Sequence, residues 1–324
     1  MGDYNLCTLQ RTGSAHRVCQ DRLSVLREGD RLLLVAADGH GGRPYARSGL
    51  GARFACAAAM AVLRQTDENV LAAVKDRYDA MVAKHLAMRP PQPWEAERLG
   101  DLPPSALYGA TLLAAVLTKE DTRVYQLGDG EIHALKQDGT FFPSLPEDEG
   151  CHGSMTTSLA NGREVAVAHA RQSRYPEPAA ALMLFTDGCD GGMLQAAAGL
   201  AKPSSLQEQL EAMLRRTNRG DDQTFLLAYD PEAVEKASFR ENLTHVLQTL
   251  QAESKRNKRE CREREEYEQL HSYLQLAARK AARMSRRNSP ELEAYLQTLK
   301  PGYERYEQLR ARFAAEERNR PSAG

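Results

Sequence analysis

Six consecutive apolar residues, Leu32-Leu33-Leu34-Val35-Ala36-Ala37, run without polar alternation into Asp38-Gly39-His40-Gly41-Gly42. A run of that length and texture fits a strand covered on both faces, which requires layers on either side of its sheet. A carboxylate stands where the strand ends. Asp38 is the hard oxygen donor that Mg²⁺ or Mn²⁺ prefers, and His40 can exchange a proton near neutral pH. The glycines let backbone carbonyls and amides approach a metal or phosphate. Taken alone, a glycine-rich turn after a buried strand is also what an ordinary turn looks like.

The 324 residues, 42% hydrophobic and 27% charged, suffice for a sizeable core and for two domains. A formal net charge of −1 gives no reason to expect nucleic acid or an acidic membrane as main partner. Cys7, Cys19, Cys56, Cys151, Cys189 and Cys261 form no C-x-x-C pair, which argues against a zinc site and a disulfide framework and for a reducing cytoplasm. No basic stretch with an apolar core opens the chain, and no run is long enough for a membrane span.

Helical patterns are expected over Tyr45 to Leu63 and Asn69 to Met88, as an antiparallel pair. The prolines from Pro90 to Pro93 then read as a surface loop. From Gly109 the texture becomes strands: Ala110 to Leu117, Thr122 to Leu127, Ile132 to Leu135, Glu164 to Ala170, Ala181 to Phe185 and Thr224 to Tyr229, interrupted by a helix from Ser205 to Arg216. Short strands with polar turns indicate antiparallel sheets, here two sheets between helices. After Pro231 only helix-period apolar residues remain. The composition places one domain over 1–232 and a charged helical extension over 233–324, as a hairpin, small bundle or coiled coil. Glu253 to Glu268 is almost wholly charged, Leu292 to Phe313 is punctuated by Pro301-Gly302, and Arg318 to Gly324 looks frayed.

Carboxylates recur beside glycines at strand ends: Asp38, Asp129 in Gly128-Asp129-Gly130, Asp187 in Thr186-Asp187-Gly188, and Asp221-Asp222 after Gly220. Each could be a turn-former. If the strands share a sheet their ends converge, and clustered carboxylates repel unless divalent cations lie between them.

The ordered set Gln20-Asp21, Asp38-Gly39-His40-Gly41-Gly42, Gly109-Ala110-Thr111, Gly128-Asp129-Gly130, Thr186-Asp187-Gly188 and Asp221-Asp222-Gln223-Thr224 resembles the PP2C family of metal-dependent serine/threonine protein phosphatases. Gly13-Ser14-Ala15-His16 with Cys19-Gln20-Asp21 resembles its bacterial branch. The resemblance implies an α+β fold, a four-layer α/β/β/α sandwich with two antiparallel sheets, and a centre of two Mn²⁺ or Mg²⁺ ions with a third, weaker site. A water activated between two metals would hydrolyse phosphoserine or phosphothreonine in a phosphorylated protein. By position, Asp38 bridges the metals, the Gly39 carbonyl helps hold one, Asp187 and Asp221 complete the other, and Asp129 serves the third. Thr111, Asp222 and Thr224 support the geometry, and His40 protonates the departing alkoxide. Two positions depart from the pattern. Gln20, before Asp21, replaces an acidic residue and ligates hard cations less strongly. His16 stands where a phosphate-holding arginine is usual, with Arg17 beside it.

Rival readings remain open at this point: a phosphatase-like scaffold acting through its helical tail, or hydrolysis of a small phosphorylated molecule. Cys189 lacks the Cys-x₅-Arg loop of cysteine phosphatases and reads as buried and inert. The region Pro146 to Asn161 occupies the place of a variable flap. The mixed-sign tail reads as a solvated helix or as an arm for a protein partner or self-association; its interleaved glutamates argue against nucleic acid.

Overall fold

The computed structural model describes residues 3–148, 156–189, 192–216, 220–287 and 289–318. Among the described residues nine strands build two antiparallel sheets. In the first, β1 (Asn5–Arg11), β9 (Gln223–Tyr229), β8 (Ala181–Phe185) and β6 (Glu131–Leu135) lie in that order. In the second the order is β2 (Arg22–Glu28), β3 (Arg31–Ala37), β4 (Leu112–Leu117), β5 (Thr122–Leu127) and β7 (Arg171–Tyr175).

The period of two explains why β3 and β4 are apolar throughout. Leu33, Val35 and Ala37, with Leu112, Ala114 and Val116, share one core with α1 (Ser48–Leu63) and α2 (Val70–Met88). Leu32, Leu34 and Ala36, with Leu113, Ala115 and Leu117, face Leu182, Leu184, Leu226 and Ala228 of the other sheet. On the far side of that sheet, Met183, Phe185, Phe225 and Leu227 pack against α5 (Gly192–Ala201) and α6 (Leu206–Arg216). Three apolar cores between four layers, two of helices and two of strands, make the expected sandwich, and the strand face alternation sends every second residue to a different core.

Several expectations change. Glu164 to Ala170 is not a strand: α4 (Arg163–Ala168) starts after Gly162, with Val165 solvent-facing, and β7 follows it. The alternation Val165-Ala166-Val167-Ala168 imitates period two, while the polar edge strand β7 shows no apolar pattern at all. The proline stretch is not only loop. Pro93 opens α3 (Pro93–Leu99), where a capping box between Gln92 and Glu95 satisfies the first turn. Glu95 also receives the Arg47 guanidinium at 2.6 and 2.8 Å, and Arg47 donates to the Tyr108 hydroxyl at 2.8 Å, fixing the loop that follows His40. Helix α5 had no counterpart in the sequence reading.

The first compact unit runs to Leu247, so the compositional boundary at 232/233 falls inside it. Ala233 and Val234 of α7 (Pro231–Glu235), then Phe239, Leu243 and Leu247 at the start of α8 (Ala237–Arg286), are buried against β8 and β9. Asn242 donates to the Asp138 carbonyl at 2.8 Å, and the Gly139 turn touches the Phe239 backbone. Charge content marks the change in composition, but burial marks the end of the unit.

The second unit spans Gln248–Gly324. There the rest of α8 and α9 (Leu292–Arg318) meet as an antiparallel hairpin: Tyr267 stacks on Tyr306 at 5.0 Å, Arg305 chelates Glu266 at 2.7 and 2.9 Å, and Lys280 lies 4.4 Å over the Tyr295 ring. α9 continues through Pro301, whose side faces solvent. No helix among the described residues is long and apolar enough to cross a membrane.

Candidate metal and phosphate centre

One end of the sandwich gathers the strand-end aspartates. Asp38 follows β3, and its backbone exchanges hydrogen bonds with Thr111 before β4: Asp38 N donates to Oγ1 at 3.1 Å and Thr111 N to the Asp38 carbonyl at 2.9 Å. Asp129 tips the β5–β6 turn, and Asp187 follows β8. One carboxylate oxygen each from Asp38, Asp129 and Asp187 lies within 4.8 Å of the others. Asp221, half exposed, adds its charge without joining that group; Asp21 stands deeper, 1% exposed.

The electrostatics follow from this crowding. Burial, and then the charges of Asp21, Asp187 and Asp221, hold the Asp38 carboxyl well above the usual carboxylate range. Burial raises Asp21 to about 6 even though the Thr186 hydroxyl donates to it at 2.9 Å. Asp187 is raised by burial and by Asp129 and Asp221. Among the described residues none of Asp38, Asp129 and Asp187 has an ion-pair partner, and Gln20 Oε1 and Asp21 Oδ1 are buried with no hydrogen-bond donor. Carboxylates crowded without a cationic partner, beside the undonated Gln20 Oε1 and Asp21 Oδ1, match what a hard divalent cation requires.

The neighbouring residues hold this shape. Asp222 is buried and accepts from the amides of Gly13 at 2.8 Å and Gln20 at 2.5 Å, tying the β1–β2 loop to the Asp221 turn. His16 Nδ1 lies 3.1 Å from Asp222 and 3.8 Å from Asp221 without making a hydrogen bond to either, whereas Arg17 is exposed. His40 is nearly buried, edge-on to Tyr45 at 5.1 Å, with its Nε2 unpartnered; burial lowers its pKa and Asp129 pulls the other way. Gly39 allows no side chain, since a Cβ would lie 2.7 Å from the Gln20 carbonyl. Cys189 is fully buried, its thiol pushed up to about 12 chiefly by that burial, which keeps it inert.

A Cβ at Gly188 would fall 1.9 Å from the Asp222 carbonyl, between the two aspartate turns. Gly188→Ala should therefore cost about 1–3 kcal/mol, read as a lower urea midpoint, and weaken Mn²⁺ binding; an unchanged midpoint would show that the turns are not packed this tightly.

Three contributors were not legible as site residues. Ser158 bonds both the amide and carbonyl of Ala110 at 3.1 and 3.2 Å, while Gln126 and Arg171 hold the Asp129 turn. Ser158 and Arg171 reach these groups from 48 and 43 residues away, and a strand glutamine such as Gln126 carries no local signal of such contacts. Cys151 and His152 lie outside the described residues, as does part of the Pro146 to Asn161 segment.

A family model described as protein phosphatase 2C matches residues 12–258. No curated relative matches the sequence. Among solved structures, a bacterial serine phosphatase superposes with a TM-score of 0.52 at 14% identity, over 70% of this chain and 98% of its own. Serine/threonine phosphatase Stp1 from Staphylococcus aureus gives 0.52 at 15% identity, over 71% and 95%. PppA from Pseudomonas aeruginosa, described as a regulatory component of T6SS, gives 0.50 at 14%, over 70% and 97%.

Proposed function

Since the chain belongs to the protein phosphatase 2C family, we propose that it is a cation-dependent phosphatase hydrolysing phosphoserine and phosphothreonine in proteins of the cytoplasm. The observation that carries this reading is the convergence of Asp38, Asp129 and Asp187 without a counter-charge. Two Mn²⁺ or Mg²⁺ ions, with a third held more weakly, would offset the charge of the phosphate and supply a nucleophilic water at neutral pH.

Asp38 would lie between two ions and the Gly39 carbonyl beside one; Asp187 and Asp221 would hold the other, and Asp129 the third. Asp21 and the neutral Gln20 would act from behind, Gln20 through its buried Oε1. His40 would hand a proton to the leaving alkoxide, as general acids do for about 10²–10⁴-fold in rate. With His16 turned toward Asp222, the exposed Arg17 is the better candidate for the phosphate, and its guanidinium keeps its charge at any working pH. The helical hairpin after Leu247 would serve a protein partner or self-association.

A scaffold reading fits less well, because three carboxylates gathered without a counter-charge repel one another unless cations lie between them. The test is hydrolysis of an aryl phosphate and a phosphothreonine peptide after chelation, with Mn²⁺ titrated in. Turnover should rise with Mn²⁺ and vanish in Asp187→Asn. Folded protein without turnover would favour the scaffold, and turnover of phosphorylated metabolites alone would move the substrate class.

A further inference from the structure

We propose that Arg171 is a positioning residue that fixes Asp129 within the carboxylate cluster and ties its turn to the chain at Pro146. The inference rests on the cation-dependent reading above and concerns how the site is built. Gly128 carries φ of +99°, and a Cβ there would meet the Thr111 side chain at 2.6 Å, so the turn is already pressed against the partner of Asp38. Its carbonyls are met by side chains. Gln126 Nε2 donates to Gly128 O at 3.2 Å and to Gly130 O, and Arg171 Nη2 also donates to Gly128 O.

Gln126 and Arg171 are register partners across β5 and β7, so both donors reach the turn from neighbouring strands. The second arm of the guanidinium, Nη1, donates to the Pro146 carbonyl at 3.0 Å. Among the described residues Arg171 has no carboxylate partner, and its fork is used on two carbonyl oxygens from separate segments. It also faces a cleft of about 570 Å³ that Asp129 and Asp148 line.

The physical need is clear from the charges. Asp129 and Asp187 repel, and a carboxylate on a glycine-flanked turn would relieve that repulsion by swinging into solvent. Gln126 holds the carbonyls on both sides of Asp129, and Arg171 adds the second bond on Gly128 and anchors it to Pro146, which opposes that swing; outer partners of this kind typically govern about 10- to 100-fold in metal affinity. A lysine ammonium keeps the charge but has no planar fork to span two carbonyls.

Mn²⁺ binding to the full chain, followed through the EPR signal of the free ion, tests this without reference to turnover. Asp129→Asn identifies which class of Mn²⁺ site depends on that carboxylate. Arg171→Met and Arg171→Lys should each weaken the same class by about tenfold or more, with the other sites within twofold of wild type. An isotherm for Arg171→Met that superimposes on wild type, or full recovery in Arg171→Lys, overturns the proposal; Arg171→Lys keeps the test open if Arg171→Met does not fold. Wild-type protein that binds no Mn²⁺ overturns the cation-dependent reading itself, and that is seen before any variant is made.

Discussion

Asp38→Ala should abolish turnover and, in the chelated protein, raise the thermal midpoint. The two effects have one cause. Asp38 is the most crowded carboxylate of the site, raised by burial and by Asp21, Asp187 and Asp221 together. Charge stabilisation through a shared cation is worth several kcal/mol in the transition state, so its loss should lower kcat by about a thousandfold or more. The same side chain is a liability when no cation offsets it. Removing it relieves repulsion and leaves room only for a methyl group, for a gain on the order of 1–3 kcal/mol. Calorimetry with chelator, and again with Mn²⁺, checks the sign: the variant should be the more stable chain in the first case and the less stable in the second. A variant destabilised under both conditions would mean that Asp38 is a structural residue, and retained turnover would remove it from the centre.

The layers of the fold were legible because burial on both faces leaves an unmistakable trace. Leu32 to Ala37 and Leu112 to Leu117 fit strands with a core on either side, and two such cores imply the helices that cover them. Edge elements leave no such trace. β7, Arg-Gln-Ser-Arg-Tyr, buries only its last residue, and α4 presents a valine to solvent, so neither pattern reports its structure. The end of the first unit was hidden for the opposite reason. Phe239, Leu243 and Leu247 sit at helical spacing in a charged segment and read as one more amphipathic helix, although they complete the core behind β8 and β9.

The aspartates of the site were legible because each lies next to a glycine at a strand end, where sequence alone reports both the turn and the charge. The supports were not. Thr186 to Asp21, Asp222 to the Gly13 and Gln20 amides, and Arg171 to Gly128 are bonds between segments 43 to 209 residues apart. His16 shows how a substitution changes meaning in three dimensions: in sequence it stands in the place of an arginine for phosphate, while in space it lies against two aspartates, one of them buried.

Chelated protein should lose stability as pH rises from 5 to 7, and saturating Mn²⁺ should abolish or reverse that slope. A carboxyl whose folded pKa exceeds its unfolded value keeps its proton in the native state after the unfolded chain has released it. Unfolding then sheds a proton, and stability falls with rising pH by about 1.4 kcal/mol per pH unit for each such group. Asp21, raised to about 6, acts from the ordinary carboxylate value up to that point; Asp38 and Asp187 act in the same direction. Glu95 and Asp121, held low by Arg47 and by Arg123 with Thr118, are ionised in both states above pH 5 and add no slope there. His40 and His85, lowered mainly by burial, work the other way, since the unfolded chain holds their protons up to its own higher pKa. Three carboxyls against two imidazoles leave a net fall. Bound cations ionise the cluster in the native state at every pH in the window, which removes the carboxyl contribution and leaves the rise from the histidines. Urea midpoints at pH 5, 6 and 7, with chelator and with Mn²⁺, measure both slopes. Parallel slopes under the two conditions would show that these carboxylates do not hold the ions.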